Sequence, residues 1–245
     1  MEILLIASCF SIGFFFESIF GFGGGVIAYS ILSFFIDIKT LIVAGFYIGT
    51  MSSLLIIITS YQHFEKKIFI PLIINSTIAS LFGVFAFVFL PLKILSMIFG
   101  LLLIIISLKN LFFDKNTAIS NDKIKSKKFN FIKQKLIFIG GLSQGAFGTG
   151  GPFVVNALKN SFSNKSSLRA TMAGYFLFCN IIRAPVLIGS DQFNWQIFKQ
   201  IFWIVIPVFI AIKIGHKVHL SISTNHFRIG IGIISLIAGF KFLFI

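Results

Sequence analysis

Two charged residues stand where apolar sequence surrounds them: Glu17 within residues 3–20, and Arg183 within residues 170–190. A charge carried to membrane depth costs about 3 kcal/mol on insertion scales, so such a residue is expected to have a task or a partner. A desolvated carboxylate at Glu17 suits the carriage of a coupling proton or the gating of a site. Its other reading is a hydrogen-bond acceptor for nearby backbone N–H groups, or a charge near an interface. The guanidinium of Arg183 suits two-pronged binding of sulfonate or carboxylate oxygens. Its other readings are a structural ion pair, for instance with Glu17, or snorkelling to the surface. Asn180 lies three residues earlier on the same helical face and is placed to join Arg183.

Glu17 stands three residues before a glycine tract, Phe20-Gly21-Phe22-Gly23-Gly24-Gly25. Gln144 stands three residues before another, Phe147-Gly148-Thr149-Gly150-Gly151-Pro152, which lies 127 positions later. Each tract interrupts an apolar stretch and precedes a piece too short to cross a hydrocarbon core of about 30 Å. A glycine break bares backbone N–H and C=O groups that hydrocarbon cannot satisfy, so it belongs in buried protein or beside an aqueous cavity. Paired breaks that start half-helices present positive dipole ends to an anion. Pro152 suits the first helical position, where a missing N–H costs nothing. The competing view, that these glycines only permit close helix packing, fits one tract better than two. Neither tract matches a nucleotide loop. Thr149, Asn156, Tyr47, Thr50 and Asn75 are weaker polar candidates, better suited to hydrogen bonds between helices.

The elements that must position these residues form two similar runs. Residues 3–36 are a broken hairpin, followed by long apolar stretches at about 41–61, 68–90 and 93–112. Residues 136–158 repeat the broken hairpin, and long stretches follow at about 170–190, 195–215 and 221–244. Ala44-Gly45-Phe46-Tyr47 resembles Ala173-Gly174-Tyr175-Phe176. The expected organisation is a first membrane repeat (1–112), a basic linker (113–135) and a second membrane repeat (136–245). The fold class expected is an all-α polytopic membrane protein of two inverted repeats, each a glycine-broken hairpin plus three transmembrane helices.

Charge supports that layout. A mean hydropathy of +0.99, 57% hydrophobic residues and 11% charged residues exclude an ordinary soluble domain. The net charge of +14 does not point to nucleic acid, because the cations gather in short gaps between apolar stretches. Segments 61–67, 109–135, 159–169 and 213–219 hold 15 of the Lys and Arg residues, against four on the other side. The positive-inside rule then puts the 113–135 loop in the cytoplasm and both termini outside, in the inner membrane of the cell. No cleavable signal is expected, since Met1 to Phe20 has no basic leading region.

Cys9 and Cys179 lack metal-ligand spacing, and His216 and His219 have neither a carboxylate nor a cysteine beside them, so no metal site or cofactor is expected. No set of nucleophile and base lies at membrane depth, which argues against an enzyme. Pro71, Pro185 and Pro207 are expected to start or kink helices.

The tracts Gly21-Phe22-Gly23-Gly24-Gly25 and Gly148-Thr149-Gly150-Gly151-Pro152, the duplicated half, the basic central loop and the length near 250 together resemble the TauE/SafE family of membrane proteins. The resemblance covers essentially the whole chain. A proline follows the second tract, as in the family pattern, whereas Val26 follows the first. The resemblance implies export of sulfite, an organosulfonate or a related small organic anion, with the substrate varying within the family. The substrate-binding set expected is Gly21 to Gly25, Gly148 to Pro152, Asn180 and Arg183, with Glu17 and Gln144 in coupling or gating. Partners expected are a small anion, the lipid bilayer and protons as coupling ion; a homo-oligomer is compatible with the sequence. An anion channel is the main rival, and a membrane-embedded enzyme or scaffold stands behind it.

Overall fold

The computed structural model describes residues 2–108, 111, 131–158, 161–162, 164–190, 195–218 and 224–244. Most of the 113–135 linker therefore lies outside the described residues, as does His219. Among the described residues the regular structure is helical: α1 (Glu2–Phe20), α2 (Gly24–Leu32), α3 (Ile38–Ser60), α4 (Lys66–Phe89), α5 (Leu92–Leu108), α6 (Phe131–Phe147), α7 (Gly151–Leu158), α8 (Lys165–Ile188), α9 (Trp195–Val218) and α10 (Thr224–Leu243). A 3-10 turn, Tyr61–His63, follows α3. The chain is all-α, and its long and short helices fall close to the stretches expected from hydropathy.

Local chemistry sets the helix ends. Asp37 caps α3 by accepting the Thr40 N–H at 2.9 Å, and Asn164 caps α8 by accepting the Ser167 N–H at 2.8 Å. Leu90, ahead of Pro91, has extended backbone and closes α4. Pro71, Pro185 and Pro207 all sit inside helices. Both broken segments turn through glycines in the left-handed region: Gly21 (φ 82°) and Gly23 (φ 97°) in the first, Gly148 (φ 72°) in the second. A side chain at these positions would be strained, so glycine is required by the turn. At about 1.5 Å per residue, the nine residues of α2 and eight of α7 reach about 13.5 and 12 Å. Neither crosses a hydrocarbon core.

Among the described residues, three helices are long and apolar enough to span a membrane by themselves: Ile38–His63, Lys66–Phe89 and Lys165–Ile188. The exterior is apolar, with Ile74, Phe82 and Trp203 each more than 60% exposed. The interior, by contrast, is dotted with buried serines, of which Ser76 and Ser107 return their hydroxyls to the carbonyls of Leu72 and Leu103. Apolar outside and small-polar inside is the arrangement that lipid, rather than water, stabilises.

Helix α4 packs on α6, α9 on α1, α3 on α8 and α5 on α10. Small residues bring backbones together at these seams. A Cβ on Gly145 of α6 would sit 2.8 Å from the Ser80 carbonyl carbon of α4, and one on Gly100 of α5 would sit 2.7 Å from the Gly239 oxygen of α10.

One cation departs from the charge tally. Arg169, counted with the 159–169 segment, is 2% exposed within α8. It is a core residue, held by groups on α1 and α3. Pro152 also sits one place further in than expected, as the second residue of α7; it remains in the first turn, where N–H groups have no intrahelical acceptor.

Candidate functional site

The two breaks meet. A Cβ on Gly25 would lie 3.5 Å from the Gly148 carbonyl oxygen, and one on Gly151 would lie 2.8 Å from Phe22 Cβ. Each half-helix therefore begins at the turn of the opposite break. Glu17 Oε2 accepts the Gly24 N–H at 2.9 Å, and Gln144 Oε1 accepts the Gly150 N–H at 2.9 Å. Both side chains are buried, Glu17 at 6% and Gln144 at 3% exposure. In the long helices before them, the Gly21 N–H closes on Glu17 O and the Gly148 N–H on Gln144 O, so each break keeps its last helical bond.

A cavity of about 30 Å³ opens at this junction. Of the expected residues, Glu17, Gly23, Gly25, Gln144, Gly148, Thr149, Gly151, Pro152, Asn180 and Arg183 line it. Gly21, Phe22, Gly24 and Gly150 do not: Gly21 packs against the Arg169 backbone, Phe22 against Gly151, and the Gly24 and Gly150 N–H groups are taken by the two capping side chains. A water needs about 10–15 Å³ of such space, so the cavity suits a compact occupant.

Arg183 reaches the cavity from α8 at 1% exposure. Its Nη1 donates to Asn180 Oδ1 at 3.2 Å rather than to Glu17. Asn180 Nδ2 in turn donates to Thr50 Oγ1 at 3.0 Å, and Thr50 donates to Phe46 O at 2.6 Å. The guanidinium carbon also stands 5.6 Å from the centre of the Phe46 ring. Among the described residues, Nε and Nη2 of Arg183 have no protein partner. Those two nitrogens share one edge of the planar guanidinium, so the free donors form a ready fork.

The weaker candidates divide. Thr50 joins the Arg183 chain through Asn180, and Thr149 Oγ1 stands 3.4 Å from Ser143 Oγ. Asn75 donates to Pro71 O within α4, away from the cavity. Asn156 and Tyr47 do not line the cavity.

Several lining residues escaped the sequence reading. Tyr29 of α2 crosses to α3, where a Cβ on Gly45 would meet its Cζ at 2.6 Å, and Gly49 one turn on leaves room beside Asn180. The spacing Gly45–Gly49 on a membrane stretch was the available signal for a wall that something approaches closely. Ser53 completes that stripe, buried and with no hydrogen-bond partner for its hydroxyl among the described residues. Phe14 and Phe176 supply apolar walls. Among the described residues no group of three or more His, Cys, Asp or Glu is placed to hold a metal.

A family model described as Sulfite exporter TauE/SafE matches residues 5–242. No curated protein and no solved structure matches the chain. The chain belongs to the TauE/SafE family and is a multi-pass membrane protein of exporter type.

Proposed function

We propose that this family member is a secondary carrier of a small oxyanion, exporting sulfite, an organosulfonate or a related anion across the cytoplasmic membrane. The observation that carries this reading is the unpaired edge of Arg183. Among the described residues two donors of this buried guanidinium have no protein partner, and Arg183 lines the small cavity; a buried unmatched cation is costly. An anion with two oxygens on one central atom fits both donors at once. The half-helix N-termini at Gly25 and Gly151 add positive dipole ends beside it. Asn180 and Thr50 orient the fork from the opposite edge.

Glu17 supplies the carboxylate for a coupling proton, while Gln144, which cannot titrate, only caps. An inverted pair of repeats, 1–112 and 136–245, is supported by matched packing, α4 on α6 as α9 on α1, and by matched caps at the breaks. The positive-inside rule favours a cytoplasmic central loop with both termini outside. The small size of the cavity favours a carrier over an open channel.

The test is flux into proteoliposomes holding purified protein, with sulfite, a C2 sulfonate and acetate, each with and without a pH gradient. Saturable uptake of a sulfur oxyanion, lost in Arg183→Ala while the variant remains inserted, is the expected result. Normal flux in Arg183→Ala removes Arg183 from the mechanism, and flux that never saturates makes the protein a channel.

A further inference from the structure

The second buried arginine has no place in the anion site, yet it touches the element that builds half of it. Arg169 precedes Arg183 by 14 residues on α8, close to four turns, so the two share a face of the helix. Phe176, midway between them, packs at the junction of the breaks, 3.0 Å from where a Gly151 Cβ would stand. Arg183 serves the cavity; Arg169 points to the end of α1.

That end needs a donor. The last carbonyls of a helix lack the N–H groups of a following turn. In α1 the Glu17 carbonyl is taken by the Gly21 N–H at 2.7 Å. The next carbonyl, on Ser18, belongs to a fully buried residue, and Arg169 Nη1 donates to it at 3.0 Å. Arg169 Nη2 donates to the hydroxyl of Ser60, the last residue of α3. The Arg169 backbone lies directly beneath the turn, its Cα 2.9 Å from where a Gly21 Cβ would stand. A cation here also offsets the negative end of the α1 dipole.

We propose that Arg169 is a positioning residue for the anion site, fixing the first break against the second. The links are short. Arg169 holds the Ser18 carbonyl, Ser18 adjoins Glu17, and Glu17 holds the Gly24 N–H that starts α2. Loss of the clamp frees Glu17 and Gly23–Gly25 to move relative to Gly148–Pro152, so the site loses its fixed width. The second break keeps its own cap, which runs from Gln144 to Gly150 on other elements. This inference rests on reading the cavity as an anion site.

Two measurements test it on the wild type, Arg169→Gln and Arg169→Lys. Hydrogen exchange in detergent should rise about tenfold in peptides covering 14–26 for Arg169→Gln, and stay near wild type in peptides covering 141–153. Arg169→Lys should fall between, because an ammonium keeps the charge and N–H donors but not the two coplanar nitrogens that serve Ser18 and Ser60 separately. In proteoliposomes, Arg169→Gln should raise the KM for sulfite and change the ratio of sulfite to C2-sulfonate flux, with partial rescue by Arg169→Lys. Exchange that rises equally at both breaks, or flux that falls with KM and ratio unchanged, makes Arg169 an ordinary packing residue and overturns the proposal. A wild-type protein that carries no anion removes the transport reading alone; the exchange pattern then still decides whether Arg169 clamps the first break.

Discussion

Glu17 and Gln144 hold equivalent hydrogen bonds at two different breaks: each side-chain oxygen accepts a half-helix N–H at 2.9 Å, Gly24 for Glu17 and Gly150 for Gln144. One of the pair titrates and the other does not. The cap and the charge are therefore separable functions of a single position, and substitution can remove either alone.

Glu17→Gln should keep the cap, because an amide oxygen already performs it at Gln144. The variant is expected to insert, to remain folded and to bind anion near the wild-type level, but to lose stimulation of flux by a pH gradient. Glu17→Ala removes the acceptor as well and leaves the Gly24 N–H buried and unpaired, a cost of about 1–3 kcal/mol. It should lower both flux and thermal stability in detergent. Paired flux assays with and without the gradient check this, and gradient-stimulated flux in Glu17→Gln would take Glu17 out of proton coupling.

Arg183→Lys tests the fork rather than the charge. Lysine keeps a cation but presents no planar pair of donors and cannot hold the Asn180 amide in the same geometry. A hydrogen bond to a charged group contributes about 1.5–3 kcal/mol. The KM for an oxyanion is thus expected to rise about tenfold or more, while chloride, which has no pair of oxygens to match the fork, is affected less. Competition of sulfite uptake by chloride in the two proteins reads this directly.

The breaks, the half-helices and the two buried charges Glu17 and Arg183 were legible in the sequence because lipid enforces a simple rule: polar groups and glycine runs inside apolar stretches must answer for themselves. Arg169 was not legible. It follows Lys165 by four residues and reads as the end of a basic loop, and only the fold shows that α8 has already begun and buried it. Tyr29 and Ser53 were hidden for another reason. Tyr29 has Ser30 beside it and Ser53 has Ser52, so residue type does not single out the hydroxyl at the cavity; that is decided by the rotation of α2 and α3. That Glu17 accepts the Gly24 N–H rests on one distance that no sequence contains.

Gly145 separates packing from function. A Cβ there would press on the Ser80 backbone of α4 at 2.8 Å, and backbone in a helix seam cannot step aside. Gly145→Ala is expected to destabilise by about 1–3 kcal/mol through overpacking. A lower midpoint of thermal unfolding in detergent and lower yield of inserted protein should follow, with KM unchanged in the molecules that survive, because Gly145 does not line the cavity.

Gly49 makes the opposite case, since it lines the cavity but has room. The nearest atoms to an added Cβ are Asn180 Nδ2 and Phe14 Cζ, both at 3.8 Å, an ordinary van der Waals contact. Helix formation favours alanine over glycine by about 1 kcal/mol, so Gly49→Ala should fold at least as well as the wild type. The methyl group takes its volume from a cavity of about 30 Å³. A substrate with carbon attached to the oxyanion centre should feel that loss before a bare one does. Gly49→Ala is therefore expected to lower C2-sulfonate flux more than sulfite flux, and the ratio of the two rates in one liposome preparation measures it. Equal losses for both anions, or none, would place the substrate elsewhere than beside Gly49.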